Sequence, residues 1–435
     1  MDSEHVSLRR IFLTWLPLAA SWLFLSFEVP IVSAIIARMA QPEINLAAFG
    51  GVVEPLRLLL LSPTLMMLSA STALCKDHAS YQRLWRFMNT VGAILTICHF
   101  LIAFTPLYYL ITRNVLGVPE EIIAPARLGL MIMLPIPWSV GLRRFLQGVM
   151  IRYGHPAAVA IGTVLRLSTV LIISIGAYLL GISSGVIIGA CALTSGMMVE
   201  AAYTYWRVQP ILRLQIKSSV QATELSWRSI LAFYIPLVLT SLLSISGRSI
   251  NSAALSRMPE AISSLAAYPV STGVMFILQS FGIAYNEVVI SFLSYTDSRN
   301  HLHRFTLQLT LALLVGTLLF TATPLANWWL EGVTSLPGYL VPLTRVSLWL
   351  ILPLPALSAI QSWFQGMIIY AQKTRGITES IFVYLLTLTA VNLLGIIWGR
   401  FPGIYVGSLA LLLAFIAQIL WLWFRSTSYL KPNAP

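Results

Sequence analysis

The sequence predicts an all-α polytopic membrane protein, with twelve transmembrane helices in two pseudo-symmetric six-helix bundles. Three observations carry that prediction. Apolar residues make up 57% of the chain and charged residues 10%, where soluble domains average roughly 25% charged. Apolar stretches of about 20 residues, the length a bilayer requires, recur along the whole chain, and the period-2 alternation of a barrel is absent from them. The chain also repeats itself. At an offset of 219, Pro17-Leu18 meets Pro236-Leu237, Leu23 meets Leu242, Ser33-Ala34 meets Ser252-Ala253, Arg38-Met39 meets Arg257-Met258, and Leu46-Ala47-Ala48 meets Leu265-Ala266-Ala267. At an offset of 218, Arg127 meets Arg345, Leu134-Pro135 meets Leu352-Pro353, Pro137 meets Pro355, and Gln147-Gly148 meets Gln365-Gly366. A duplicated hydrophobic chain with its prolines and glycines in register is the pattern of a transporter made of two repeats, with the substrate path between them.

The twelve segments run in order. Segment 1 (11–36) carries Pro17 near its inner end and Glu28, two residues before Pro30. Segment 2 (46–74) holds Glu54 and Arg57, which share one helical face at i,i+3 with Pro55 between them. Segment 3 (87–111) is followed by segment 4 (122–150), with Arg127 at its outer end, Pro135 and Pro137 mid-way, and Arg143-Arg144 towards its inner end. Segment 5 (156–181) places Arg166 about ten residues in, near mid-bilayer at roughly 1.5 Å per residue. Segment 6 (185–206) ends near Glu200. The stretch from Arg207 to Arg228 is the longest polar run and reads as a cytoplasmic connector along the membrane surface. Segment 7 (227–256) repeats the proline as Pro236 and carries Arg248 beside Gly247, the repeat partner of Glu28. Segments 8 (262–294, with Glu287), 9 (305–329), 10 (338–371, with Arg345, Pro353 and Pro355), 11 (379–398) and 12 (403–424) complete the set. Six segments per half divide the chain into lobes 1–217 and 218–435, with a parallel repeat.

Topology follows from the basic residues. The loops on the side of the N-terminus carry Arg9, Arg10, Lys76, Arg83, Arg86, Arg152, Arg207, Arg213, Lys217, Arg228, Arg299, Arg304, Lys373, Arg375, Arg425 and Lys431. Those on the other side carry only Arg38, Arg113, Arg257 and Arg400. The positive-inside rule then puts both termini in the cytoplasm of a multi-pass protein of the inner (plasma) membrane. The net charge of +12 is spread over many short loops, so a nucleic-acid partner is not expected. No cleavable signal peptide is expected, because the first apolar run is too long for one. Cys75, Cys98 and Cys191 are too scattered for a disulfide framework or a metal site, and His301-x-His303 lies in a basic loop. No metal, cofactor or catalytic constellation is expected, and the chain does not read as an enzyme.

Function is sought in the ionisable residues at membrane depth, which are costly there and face a partner or a wet cavity. They are Arg57, Arg127, Arg143, Arg144, Arg166, Arg248 and Arg345 against Glu28, Glu54, Glu200 and Glu287. Arg127 and Arg345 read as snorkelling to outer headgroups. Glu200 and Glu287 read as hydrated near the cytoplasm, and Glu28–Arg57 as an alternative structural ion pair. The surplus of guanidinium groups favours a substrate with carboxylate or phosphate groups, which arginine grips bidentately. Pro135, Pro137, Pro353 and Pro355 break segments 4 and 10 at matching depths and are the expected hinges, since each proline frees a backbone carbonyl.

The chain resembles the MATE/MOP flippase superfamily in its Gln147-Gly148-Val149-Met150-Ile151-Arg152 and Gln365-Gly366-Met367-Ile368-Ile369 segment ends. Within that superfamily it is most similar to the progressive ankylosis (ANKH) branch, on Ser246-Gly247-Arg248-Ser249-Ile250-Asn251, Ala267-Tyr268-Pro269-Val270, Leu165-Arg166-Leu167 and the stretch from Arg345 to Gln365-Gly366. The resemblance implies a V-shaped transporter alternating between inward and outward openings, and for the ANKH branch export of organic or phosphate-bearing anions. Drug-exporting relatives often use a helix 1 aspartate for coupling; the matching position here is Val32, so Glu28, one turn earlier, is the substitute.

The combined expectation is a secondary active transporter that exports a small anionic or amphiphilic organic solute. Arg57, Arg166, Arg248, Arg143 and Asn251 would bind the substrate. Glu28 and Glu54 would couple transport to H+ or Na+, Glu28 by releasing an arginine on protonation. A cation-coupled multidrug exporter and a flippase for lipids or lipid-linked saccharides are the alternatives. The expected partners are a small-molecule substrate and the lipid bilayer, with a monomer favoured.

Overall fold

The computed structural model describes residues 7–181, 184–216, 225–293, 295, 298–371 and 375–430. Among them there is no β-strand, only a single bridge between Ala40 and Ser184. Helices long and apolar enough to cross a membrane are Leu8–Ile36 (helix 1), Pro42–Leu74 (helix 2), His78–Phe104 (helix 3), Ala157–Leu179 (helix 5), Gly185–Ile216 (helix 6), Trp227–Leu255 (helix 7), Ala261–Phe292 (helix 8), Ser298–Ala322 (helix 9), Gly338–Tyr370 (helix 10), Arg375–Trp398 (helix 11) and Gly403–Thr427 (helix 12). Helix 4 is the broken pair Glu120–Ile132 and Ile136–Arg152, bent by 44°. The break falls where Pro135 and Pro137 lack amide donors. Helix 10 is interrupted at the same repeat position, between Val341–Ile351 and Leu354–Tyr370.

The chain forms two compact units, residues 35–253 and residues 1–34 with 254–435. They differ from the sequence halves 1–217 and 218–435, whose dividing point lies outside the described residues. Helix 7 packs with helices 2–6, and the larger part of helix 1 with helices 8–12. Side-chain chemistry explains both placements. The Trp15 indole on helix 1 donates to the Phe281 carbonyl on helix 8 at 2.9 Å, and Trp15 joins Tyr285, Phe305 and Trp363 in one buried cluster. Helix 7 is fastened to helix 2 by hydroxyls: Tyr234 donates to the Pro63 carbonyl at 2.7 Å, Ser241 to Ser62 at 3.1 Å, Ser249 to Pro55 at 3.3 Å, and Ser252 to Gly51. Pro55 has no N–H for the Gly51 carbonyl four residues back; Ser252 supplies the missing donor.

The repeat is reproduced in backbone detail. Gln41 and Glu260 both adopt a left-handed conformation (φ 47° and 55°) before helices 2 and 8. Asn45 Oδ1 accepts from the Val186 amide at 3.0 Å, and its counterpart Ser264 accepts from the Ile404 amide at 3.0 Å, so both caps hold the start of helix 6 or 12. Gly148 lies against Ser71, Leu68 and Thr72, whereas Gly366 lies against Val289 and Asn286 at the equivalent crossing. A Cβ at either position would overlap the neighbouring helix, which is why glycine stands at both.

One difference is local. Up to Ala48 the halves align at 219, but Leu59-x-x-Ser62 aligns at 218 with Ile277-x-x-Ser280, each serine donating three residues back (2.9 and 2.6 Å). The first half thus holds one more residue between Ala48 and Leu59. Helix 2 absorbs it as a π-helical segment, Ala47–Val53, whereas helix 8 runs as unbroken α-helix from Ala261 to Phe292. A π-turn takes one more residue per ring than an α-turn, and such bulges recur at functional sites.

Candidate functional site

The π-segment ends at Glu54, and the first α-turn after it presents the Glu54–Arg57 pair. The Arg57 Nη2 donates to Glu54 Oε2 at 2.6 Å, with both side chains almost wholly buried. Arg57 also approaches the Met197 sulfur on helix 6 at 4.0 Å. Three residues along helix 6, on the same face, stands Glu200, with no exposed surface. Arg143 of helix 4 donates to its Oε2 at 2.7 Å and Gln147 to its Oε1 at 3.0 Å. Arg166 of helix 5 brings its Nε within 3.3 Å of Oε2. Thr204 donates to the Glu200 carbonyl at 2.6 Å. Glycines on both sides make room: Gly196 lies against Arg166, and Gly162 against Glu200 and Tyr203.

This array lies wholly inside the unit 35–253, and arginines outnumber carboxylates among its named residues. Arg57, Arg143 and Arg166 are buried and Arg144 is half-buried, beside Glu54 and Glu200. Guanidinium groups at membrane depth are costly and face a partner or a wet cavity. The second half carries no such array. At an offset of 218 the positions of Arg143, Arg166 and Glu200 are Gln361, Tyr384 and Gln418, and those of Glu54 and Arg57 are Thr272 and Met275. The repeat is therefore symmetric in backbone and asymmetric in charge.

Several sequence expectations are corrected. Glu200 is not a hydrated residue near the cytoplasm; it is the buried hub where helices 4, 5 and 6 meet. Its distance from the segment end hid this, because depth along a helix does not tell which side packs. Arg57 pairs with Glu54, and Glu28 belongs to the other compact unit. Arg127 does not snorkel: it donates to the Ala103 carbonyl at 2.9 Å, the Phe104 carbonyl at 3.0 Å and the Tyr109 hydroxyl at 2.8 Å. It thereby caps the C-terminal turn of helix 3, where carbonyls lack partners. Glu287 is exposed and Arg345 half-buried.

Among the remaining candidates, Arg248 is exposed and its side chain makes no hydrogen bond or ion pair among the described residues, whereas Asn251 is buried. Arg248 stands two helical turns before the end of helix 7. An arginine at that position reaches the interfacial headgroups or a wet cavity. Glu28 opens the second part of helix 1, after a break at Phe27 where Pro30 leaves the Ser26 carbonyl without its helical donor. Its carboxylate sits in a first turn, where the helix dipole favours negative charge. Pro135 and Pro353 stand at the breaks in helices 4 and 10, with Pro137 and Pro355 in the first turns after them. Among the described residues no group of three His, Cys, Asp or Glu side chains is placed to hold a metal.

Known structures share this architecture. The chain matches the lipid II flippase MurJ in an inward closed conformation (TM-score 0.71, 17% identity, 96% of this chain and 87% of that one). It also matches an inward-facing multidrug resistance MATE family transporter of the MOP superfamily (TM-score 0.67, 14% identity, 97% and 99%). The fold is that of the MATE and MOP-superfamily transporters. A further match is a MOP-superfamily transporter from Pyrococcus furiosus, described as having a binding pocket of reversed polarity that suggests a different function (TM-score 0.56, 13% identity, 94% and 96%). No protein-family model matches the sequence, and no curated protein matches it. The chain is thus a multi-pass membrane protein with the MOP-transporter fold.

Proposed function

We propose that this protein is a secondary active transporter that exports a small organic anion by alternating access, in line with the ANKH branch of the superfamily. The observation that carries the reading is the gathering of four arginines, Arg57, Arg143, Arg144 and Arg166, around Glu54 and Glu200 inside one unit. A site for cationic drugs would lean acidic. Arg57, Arg143 and Arg166 supply guanidinium groups for carboxylate or phosphate oxygens, exposed Arg248 offers a first contact, and Asn251 lies one turn further along helix 7. Glu54 and Glu28 are the coupling candidates, for H+ or Na+. Protonating Glu54 would release Arg57 for the substrate, and the substrate's departure would restore the pair. The proline breaks in helices 4 and 10 supply the hinges. The positive-inside count supports an inner-membrane protein with both termini in the cytoplasm, and a monomer is the favoured state.

A lipid-linked anion is the second reading, favoured by the match to the flippase MurJ over nearly the whole chain; it would use the same arginines for a phosphate headgroup. The test is counterflow uptake into liposomes of citrate, pyrophosphate, nucleotides and an organic dye cation. Saturable anion uptake that is lost in Arg248→Ala supports the proposal, and uptake of the cation alone overturns it. Across a pH gradient, Glu54→Gln and Glu28→Gln separate the coupling candidates; pH dependence unchanged in both removes proton coupling through either.

A further inference from the structure

Helix 3 begins and helix 6 ends at the same edge of the unit 35–253. Between them lies a cavity of about 430 Å³ lined by Tyr81, Gln82, Trp85, Arg86, Tyr205 and Gln209. Its wall is aromatic: Tyr81 and Trp85 stack with centroids 6.1 Å apart, and Trp85 meets Tyr205 at 6.4 Å. Phe145, 1% exposed, backs both rings at 5.5 and 6.0 Å and holds them in place. The rim is basic and amide-bearing. Arg86 and Gln82 are exposed, half-buried Gln209 donates to the Tyr205 carbonyl of its own helix at 3.3 Å, and Arg207 and Arg213 lie within a turn of it in sequence. Among the described residues no carboxylate lines the cavity. Depth is fixed by position. Tyr81 and Trp85 stand three and seven residues from the start of helix 3, or roughly 5–10 Å at 1.5 Å per residue. That is the interfacial level where tyrosine and tryptophan rings sit and lipid phosphates lie.

We propose that this cavity is a binding site for the headgroup of an anionic phospholipid, distinct from the transport site around Glu200. Arg86 would pair with the phosphate, Gln82 and Gln209 would donate to its free oxygens, and the Tyr81–Trp85–Tyr205 wall would pack against the glycerol and upper acyl chain. A phosphate is preferred over a quaternary ammonium because the only charge lining the cavity among the described residues is a guanidinium, which repels cations. A soluble anion would leave the aromatic wall uncovered.

The test uses the full-length protein reconstituted in phosphatidylcholine, with quenching by brominated phosphatidylglycerol or brominated phosphatidylcholine. The Trp85 signal is taken as wild type minus Trp85→Phe. The expected result is half-quenching at a mole fraction about fivefold lower for the brominated phosphatidylglycerol, the scale of one arginine at an anionic surface, with the preference abolished in Arg86→Gln. Both side chains reach solvent, and circular dichroism confirms that the variants fold. Equal quenching by the two lipids, a preference surviving Arg86→Gln, or stronger quenching by phosphatidylcholine would each overturn the proposal. Loss of the preference on adding millimolar inorganic phosphate at constant ionic strength would assign the cavity to free anions instead.

Discussion

Neutralising Glu200 separates a structural from a functional role for the buried charges. The carboxylate has no exposed surface and faces Arg143 at 2.7 Å and Arg166 at 3.3 Å. In Glu200→Gln both guanidiniums lose this counter-charge while staying buried, and breaking a buried pair in this way costs about 3–5 kcal/mol. Set against a stability of roughly 5–15 kcal/mol for an ordinary domain, the single variant should unfold at markedly lower temperature or SDS fraction. The second repeat shows how the same backbone manages without charge, with Gln361, Tyr384 and Gln418 at the matching positions. The triple variant Arg143→Gln, Arg166→Tyr, Glu200→Gln should therefore recover most of the lost stability, because neighbouring sites in one network are not additive. It should still fail to transport anions. Thermal and SDS unfolding followed by circular dichroism measure the first effect, and counterflow the second. A single variant as stable as wild type, or a triple variant less stable than the single one, would refute the reasoning.

Other outcomes follow from the packing and the loops. Gly148→Ala would drive a methyl into Ser71 and the Leu68 carbonyl, with the Thr72 hydroxyl 2.9 Å away. Overpacking of this kind costs about 1–3 kcal/mol or more, and size-exclusion yield should fall sharply. Burial pushes the Cys75 thiol up to about 12 from 9.0, with Asp77 adding to the shift and Arg152 opposing it. The folded protein therefore holds this proton between pH 9 and about 12 while the unfolded chain releases it. The stability so gained is complete below pH 9 and lost as pH rises towards 12. In a Cys98→Ser, Cys191→Ser background, maleimide should leave Cys75 unlabelled at pH 8 until SDS is added; rapid native labelling would contradict its burial. Ser252→Ala leaves the Gly51 carbonyl without its donor, and should lower stability by about 1–3 kcal/mol, the cost of an unsatisfied buried group.

Much of the fold was legible in the sequence because bilayer thickness and backbone satisfaction leave few options for an apolar chain. The twelve segments and the Pro135 and Pro353 breaks appear where the hydropathy and the prolines put them. The repeat was legible as well, down to the change of offset from 219 to 218, but its meaning was not. Only the structure shows that the extra residue is a π-turn in helix 2 beside Glu54 and Arg57. The compact units differ from the repeat halves because a repeat boundary records duplication, whereas Tyr234, Ser249 and Ser252 fasten helix 7 to helix 2. The site was half legible. Composition singled out Arg57, Arg143 and Arg166 as intramembrane charges, but helical phase is poorly defined in a run that is apolar all round, so Glu200 was set aside and Arg127 was read as snorkelling. Comparing the repeats position by position would have found Glu200, since Gln418 stands in its place.

The most direct test of the central claim is calorimetric titration of the purified protein in nanodiscs with pyrophosphate, citrate and a cationic dye, at two salt concentrations. Saturable anion binding that weakens as salt rises, and that Arg248→Gln reduces, is the predicted result. Binding of the dye with no heat from any anion would contradict an anion-selective site built on these arginines.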